Sequence, residues 1–514
     1  MEFQKTRISS SNEPENKPYR YKKAGIIASI AGLIILIGLL GLGIAKAISS
    51  IDFKVVLKAA GDELQKDAFG HTNILIMGKA GKNNEGADLT DTILVASLDQ
   101  DNKTITMVSI PRDLYIKDAL IGNSKINEVN FNANKHFQNK EEGLRYTKNK
   151  IEELTGSPIH YWIMVDFEGF VKIVDIFGGI DVVVEEAIYD VQYPKDGTYI
   201  YEPFKLSAGA QHLDGKTALK YVRSRKSTSD FDRARRQQQT IYALKEKALE
   251  SKIIFDQNKI SEIFKTLKEN IVTNITPKEI LTFGAIAGEY NKDKIIQRLM
   301  HDDPRFCGGL LYTPERQYYD GMFVLLTAGG LDFLHRFMDL NFNYPLVNHE
   351  NLKIQILNGT SKAGVASNLR QILNRYCLNI NRYGNAKNLT VTETTYYYKE
   401  QLDETGKPIN KKSQTLDFLL TMIPGKISTQ IPQEYAEYML ENDLIIEIGS
   451  DYVNSGYYLI DPFIYLYSLP LKSETTNSSS DTDTTEGTGT DASTNNGTTD
   501  TTNEPTVPDS TPTI

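Results

Sequence analysis

The sequence predicts a layered α/β protein with a second, smaller α/β unit and one N-terminal transmembrane helix. Strand-like and helix-like stretches alternate between about residues 71 and 341, the pattern that builds α/β layers. A strand, a turn and an amphipathic helix start afresh at about Asn351. The run AGIIASIAGLIILIGLLGLGIA, Ala24 to Ala45, carries no charge. At about 1.5 Å per residue it reaches roughly 33 Å, enough to cross a bilayer core of about 30 Å.

Arg20, Lys22 and Lys23 precede that run, so the positive-inside rule predicts a cytoplasmic tail over 1–23, a membrane helix over 24–48 and export of everything after it. Ala45-Lys46-Ala47 also fits a signal-peptide cleavage pattern, but the apolar run exceeds the roughly 7–15 residues of such peptides. Residues 49–70 read as an amphipathic connector. NILIMG (Asn73–Gly78), TILVASLD (Thr92–Asp99) and TITMVSIP (Thr104–Pro111) read as strands, the last two joined by the turn DQDNK. A strand to about Val165, a helix over Phe167–Phe177, a stop at Gly178-Gly179 and a strand from Ile180 follow. Helices are expected over Asp230–Glu250, Ser261–Lys268 and Pro277–Tyr290. The second unit spans 351–471, and the Ser/Thr/Asp-rich tail over 472–514, with no Lys or Arg beyond Lys472, cannot offset the entropy of ordering.

The chain has 514 residues, 40% of them apolar and 24% charged, with a net charge of −9, so no global basic excess points to nucleic acid. Against that acidic background, YVRSRKSTSDFDRARRQQQT (Tyr221–Thr240) gathers Arg223, Arg225, Arg233, Arg235 and Arg236. Helical spacing from Asp230 puts Arg233, Gln237, Ile241, Leu244 and Ala248 on one inward stripe. Arg235 points away from it. An arginine and an amide at a helix start, beside Arg223 and Arg225 on one face of the strand-like LKYVRSR, outline a phosphate-binding site. The plain alternative is a solvated basic face paired with Asp230 and Asp232.

Asp91 in LTDT suits a divalent cation or a plain turn, Arg112 and Asp113 in SIPRD follow a strand where ligand sites gather or form a simple turn, and Lys125 in SKIN is a further cation or simply exposed. The loop GKAGKNNEGAD is not a Walker A motif, because no Ser or Thr follows its lysines. Cys307 and Cys377 lack metal-site spacing, and sequence alone leaves open whether they pair.

In order, NILIMG, LTDT, SIPRDLYI, SKINEVN, FEGFVKIVDIFGGIDVVV, LDGKTALKYVRSR and DFDRARRQQ resemble the LytR-CpsA-Psr family over residues 71–250. ILNGT and IEIGSDY, within 351–452, resemble the LytR C-terminal domain. The resemblance implies a layered α-β-α domain with a central mixed sheet, membrane-anchored and extracellular. It implies a phosphotransferase that moves a glycopolymer from a polyprenyl pyrophosphate carrier to a peptidoglycan hydroxyl, releasing polyprenyl phosphate, with Mg²⁺ or Mn²⁺ on the pyrophosphate. Pyrophosphate-binding positions map onto Arg112, Arg223, Arg225 and Arg233, supported by Gln237 and Arg236. Acidic metal or base positions map onto Asp91 and Asp230, and the KIN lysine onto Lys125. Two departures stand out. Leu89 replaces an arginine, and Gly78-Lys79-Ala80 lacks the usual carboxylate, for which Asp88 is the candidate substitute. The expected mechanism has Asp91 holding the metal and Asp113 or Asp230 assisting deprotonation. The alternatives are a lipid pyrophosphatase and a non-catalytic protein that binds the lipid pyrophosphate.

Overall fold

A computed structural model describes residues 63–81, 86–194, 201–224, 271–276, 294–399 and 413–467, with single helical positions from 236 to 286 and Tyr290. These fall within one compact unit ending at Ser468. The 24–45 run, the Ser261–Lys268 helix and the 472–514 tail lie outside the described residues. Among those described, no helix is long and apolar enough to cross a membrane.

Three β-branched, apolar runs form β1 (His71–Lys79), β2 (Thr90–Asp99) and β3 (Thr104–Ile110), where the sequence places them. α1 (Val129–Phe137), α2 (Lys140–Thr155), β4 (Tyr161–Asp166) and α3 (Phe167–Ile176) follow. Asp166 caps α3 by accepting from Gly169 N, and Gly178 and Gly179, at φ 77° and 90°, stop it as only glycine does without strain. β5 (Ile180–Val184), β6 (Ile188–Pro194), β7 (Tyr201–Leu206), β8 (Gly209–Leu213) and α4 (Gly215–Arg223) make a side structure around its own core of Ile173, Ile180, Tyr193, Leu219 and Val222. LKYVR therefore ends a helix rather than a strand: Asp214 accepts from Thr217 N at the start of α4. β9 (Ile271–Thr273), β10 (Ile295–Leu299) and α5 (Gly330–Asn343) complete this part.

The central sheet has the order β9-β4-β1-β2-β3-β10. β1 runs parallel to β4 and β3 to β10, whereas β1–β2 and β2–β3 are antiparallel, so the sheet is mixed as expected. Alternation buries both faces. Leu75, Met77, Val95 and Val108 pack toward α2 and α5, while Ile74, Leu94, Ala96 and Met107 pack toward Phe283 and Tyr290.

A second sheet, in the order β12-β11-β15-β13-β14, is built from β11 (Ile354–Asn358), β12 (Ile380–Asn385), β13 (Thr395–Tyr398), β14 (Lys426–Ser428) and β15 (Leu444–Ile448). α6 (Val365–Arg375) and α7 (Gln414–Met422) cover it. One apolar cluster runs from the central sheet through Phe337 and Met338 of α5 to Leu369, Tyr376 and Phe418.

Cys307 and Cys377 form a disulfide across a separation of 70 residues. Closing a loop of that length removes entropy from the unfolded chain worth about 4 kcal/mol. The double variant Cys307→Ser/Cys377→Ser is expected to lose about that much in urea unfolding.

Asp99 organises the β2–β3 turn, accepting from Asp101 N and Asn102 N, both at 2.9 Å, with His71 Nε2 at 3.6 Å from its other oxygen. Burial pushes this carboxyl up, but His71 and Asn102 outweigh it and hold it at about 2, against an ordinary 3.8. A depressed folded value stabilises the fold above the unfolded value, and that contribution disappears as pH falls from about 4 to 2. Acid unfolding of Asp99→Asn is therefore expected to lack about 2 kcal/mol of this pH dependence.

Candidate active site

The antiparallel β2–β3 pair builds the centre. Ile93 lies opposite Ile110, so the same register carried two residues further brings Asp91, at the start of β2, beside Arg112, just past the end of β3. Arg112 Nη1 donates to Asp91 Oδ1 at 2.9 Å, and its Nε lies 3.4 Å from Asp113 Oδ2. Lys125 Nζ donates to Asp113 Oδ1 at 2.7 Å. Charges thus alternate along Asp91, Arg112, Asp113 and Lys125. Burial works against the Arg112 charge, but Asp91 and Asp113 more than offset it and raise its pKa above the ordinary value.

The segment carrying Lys125 is pinned to the loop carrying Arg112. Ile126 N donates to Leu114 O at 2.7 Å and Asn127 N to Arg112 O at 3.3 Å. Thr90 Oγ1 donates to Asn127 O at 3.1 Å, and Asn127 Nδ2 donates to Asp91 Oδ1 at 3.3 Å. Asn127 is the residue the sequence reading passed over. It stands inside the SKIN motif that singled out Lys125.

The other strand ends converge on the same end of the sheet. Lys79, ending β1, lies opposite Thr90 on one side and Asp166 of β4 on the other. Phe167 follows Asp166, and the Arg223 guanidinium lies 4.4 Å from the centre of its ring and 5.4 Å from that of Tyr193, whose hydroxyl accepts from Arg223 Nη1 at 3.0 Å. A guanidinium held close to aromatic rings and anchored through one N–H is partly desolvated and fixed in place, which suits recognition of a phosphate.

Arg236 is a residue expected to support the pyrophosphate-binding arginines. It is buried, it donates through Nη2 to Ser224 O, and it lies 5.8 Å over the Tyr221 ring, so it fastens the end of α4. The buried positions described on its helix are Arg236, Thr240, Ala243 and Leu244. Arg225, Asp230, Arg233 and Gln237 lie outside the described residues.

Asp88 pairs with Lys79 Nζ at 3.3 Å rather than turning to Asp91, and among the described residues no three His, Cys, Asp or Glu gather around one point. A divalent ion would therefore find one carboxylate, Asp91; the Asn127 Oδ1 oxygen, buried without a hydrogen-bond partner, would join it once the carboxamide, which turns its nitrogen to Asp91, is rotated. That oxygen donor set fits Mg²⁺ when substrate phosphates and water complete the shell.

The profile described as the LytR_cpsA_psr family matches residues 48–322, and the one described as LytR cell envelope-related transcriptional attenuator matches 351–452. Polyisoprenyl-teichoic acid–peptidoglycan teichoic acid transferase TagV of Bacillus subtilis is 31% identical over 302 residues, 56% of this chain and 71% of the relative. Cell wall biosynthesis protein LcpA of Corynebacterium glutamicum is 32% identical over 247 residues, 44% of this chain and 45% of its own. The crystal structure of B. subtilis TagV aligns at a TM-score of 0.40 with 26% identity, covering 53% of this chain and 97% of that one.

Proposed function

This chain belongs to the LytR-CpsA-Psr family, and from that membership we propose that it transfers a glycopolymer from a polyprenyl pyrophosphate carrier to a peptidoglycan hydroxyl. The observation that carries the proposal is the Asp91–Arg112–Asp113–Lys125 chain at the end of β2 and β3, in a family whose relatives include teichoic acid transferases.

Arg112, Arg223 and Lys125 bind the pyrophosphate, joined by Arg225 and Arg233. Asp91 with Asn127 would hold Mg²⁺, which supplies positive charge for the phosphate oxygens. The acceptor hydroxyl oxygen bonds to the phosphorus that carries the saccharide. The bond from that phosphorus to the bridging oxygen breaks, and polyprenyl phosphate leaves with the electron pair. Asp113 is already engaged by two cations and positions them, so the hydroxyl proton passes to Asp230. Such a transfer needs placement and charge rather than a protein nucleophile. The reading also places the folded unit outside the cell on the 24–48 anchor, and the Cys307–Cys377 disulfide supports an oxidising compartment.

The Asp88–Lys79 pair favours a second reading, in which the lipid pyrophosphate is bound without turnover. One experiment separates the two. Full-length protein in detergent is incubated with Mg²⁺, a polyprenyl-pyrophosphoryl saccharide and a peptidoglycan oligosaccharide, and products are read by mass spectrometry. Acceptor-dependent release of polyprenyl phosphate with a new phosphodiester is expected. Release without acceptor would mean hydrolysis, and bound, unconverted substrate would mean a binding protein.

A further inference from the structure

β12 is the edge of the second sheet, with no strand beyond it among the described residues. Along that edge runs a shallow, open groove of about 450 Å³, lined by Gln355, Leu357, Asn381, Arg382, Gly384 and Tyr438. The catalytic reading above makes no use of it.

Register and alternation explain the shape. Arg382 lies opposite Gln355 and Gly384 opposite Leu357, so these four share one face of the sheet. Leu357 packs there with Tyr435 and Met439, and Tyr438 packs against the same cluster. A Cβ at Gly384 would meet nothing within 4 Å, so the missing side chain leaves open the space above the strand. The Tyr438 ring stacks on Tyr435 at 6.0 Å and 17°. Tyr435 is held in turn: its hydroxyl donates to Glu447, a buried carboxylate that also accepts from Tyr397 at 3.1 Å. Burial and that carboxylate push the Tyr397 hydroxyl up to about 12, so it remains a donor at neutral pH.

The lining is aromatic and amide-rich but has no excess charge, because Arg382 is paired with Glu441 at 2.7 Å. A rigid ring to pack against the C–H face of a sugar, with amides for hydroxyl and acetamido groups, suits a neutral saccharide better than a phosphate polymer. An added peptide strand fits less well. A register shift sets Asn381 out of the β11–β12 ladder and a charged residue follows it, two features that blunt strand addition at an edge.

We propose that this groove is a saccharide-binding subsite for the N-acetylated glycan of the cell wall. The choice of glycan rests on the transferase reading, whereas the groove's preference for a neutral sugar does not.

The test is calorimetric titration of full-length protein in detergent with the β-1,4-linked tetramer of N-acetylglucosamine, beside poly(ribitol phosphate) and an extended peptide. Saturable binding of the tetramer is expected. Gly384→Leu, which puts a side chain into the open space over β12, and Tyr438→Ala, which removes the ring from the groove wall, should each weaken it about tenfold or more. A variant that melts below the parent protein is set aside and the other decides. Absence of tetramer binding, binding undiminished in the deciding variants, or preference for the peptide or the phosphate polymer would overturn the proposal. Arg112→Ala should bind the tetramer as the parent does. Tetramer binding in a protein that transfers nothing would count against the transferase reading alone.

Discussion

Arg112→Ala is expected to lower glycopolymer transfer by about 100- to 1,000-fold, the usual cost of losing one preorganised charged donor in an enzyme site. The geometry argues for the upper end. One guanidinium touches both Asp91 and Asp113, and Lys125 is held by the second of these. Without Arg112, Asp91 loses its cation and Asp113 keeps only Lys125, so the local charge turns negative where the pyrophosphate arrives. Arg112→Lys should recover little, because an ammonium is a point charge that cannot bridge two carboxylates in one plane. Arg112 is partly exposed and belongs to no apolar cluster, so the melting temperature should change little. Full transfer by Arg112→Ala, measured by release of polyprenyl phosphate, would remove the centre of the functional reading.

Asp461→Ala is expected to destabilise the fold by about 3–5 kcal/mol in urea unfolding, through a charge left buried without its partner. Arg375 donates from Nη1 and Nη2 to the two Asp461 oxygens at 2.5 and 3.0 Å, with the side chains 3% and 0% exposed. Its Nε donates to Pro304 O at 2.8 Å, and its plane lies 4.3 Å from the Phe463 ring centre. Three of its N–H groups are bonded, one ring packs against it and the side chain is 3% exposed, so water has little access to take over the lost contact. The double change Arg375→Met/Asp461→Leu should cost far less than the single one, because it removes both charges from the interior. A single variant as stable as the parent would show that the pair is solvated.

Much of this was legible where one physical signal dominates. β1 to β3 stand out as β-branched runs, and α3 is bounded by its aspartate cap and two glycines in the left-handed region. Even the central contact was within reach. Once TILVASLD and TITMVSIP are joined by a short turn, the hairpin register brings residue 91 to residue 112. What misled was a short window. LKYVRSR alternates like a strand, yet Asp214 and the buried Ala218, Leu219, Tyr221 and Val222 make LKYVR the end of a helix. Nor does counting arginines tell which of them meets a ligand. Arg223 stacks on Phe167 and Tyr193, while Arg236 is spent on a carbonyl of its own chain. Asp88 pairs with Lys79, which stands just beyond the register shift between Gly78 and Lys79.

The apolar cluster that joins the two sheets limits how this gene can be shortened. Tyr376 donates to Phe333 O at 3.0 Å and packs on the Phe333 and Phe337 rings, while Tyr344 meets Phe418. A stop codon soon after residue 341 would strip these partners and leave α5 with a bare aromatic face, inviting aggregation. A descendant lineage that discarded the C-terminal sheet would therefore have to recode α5 with polar residues in the same period.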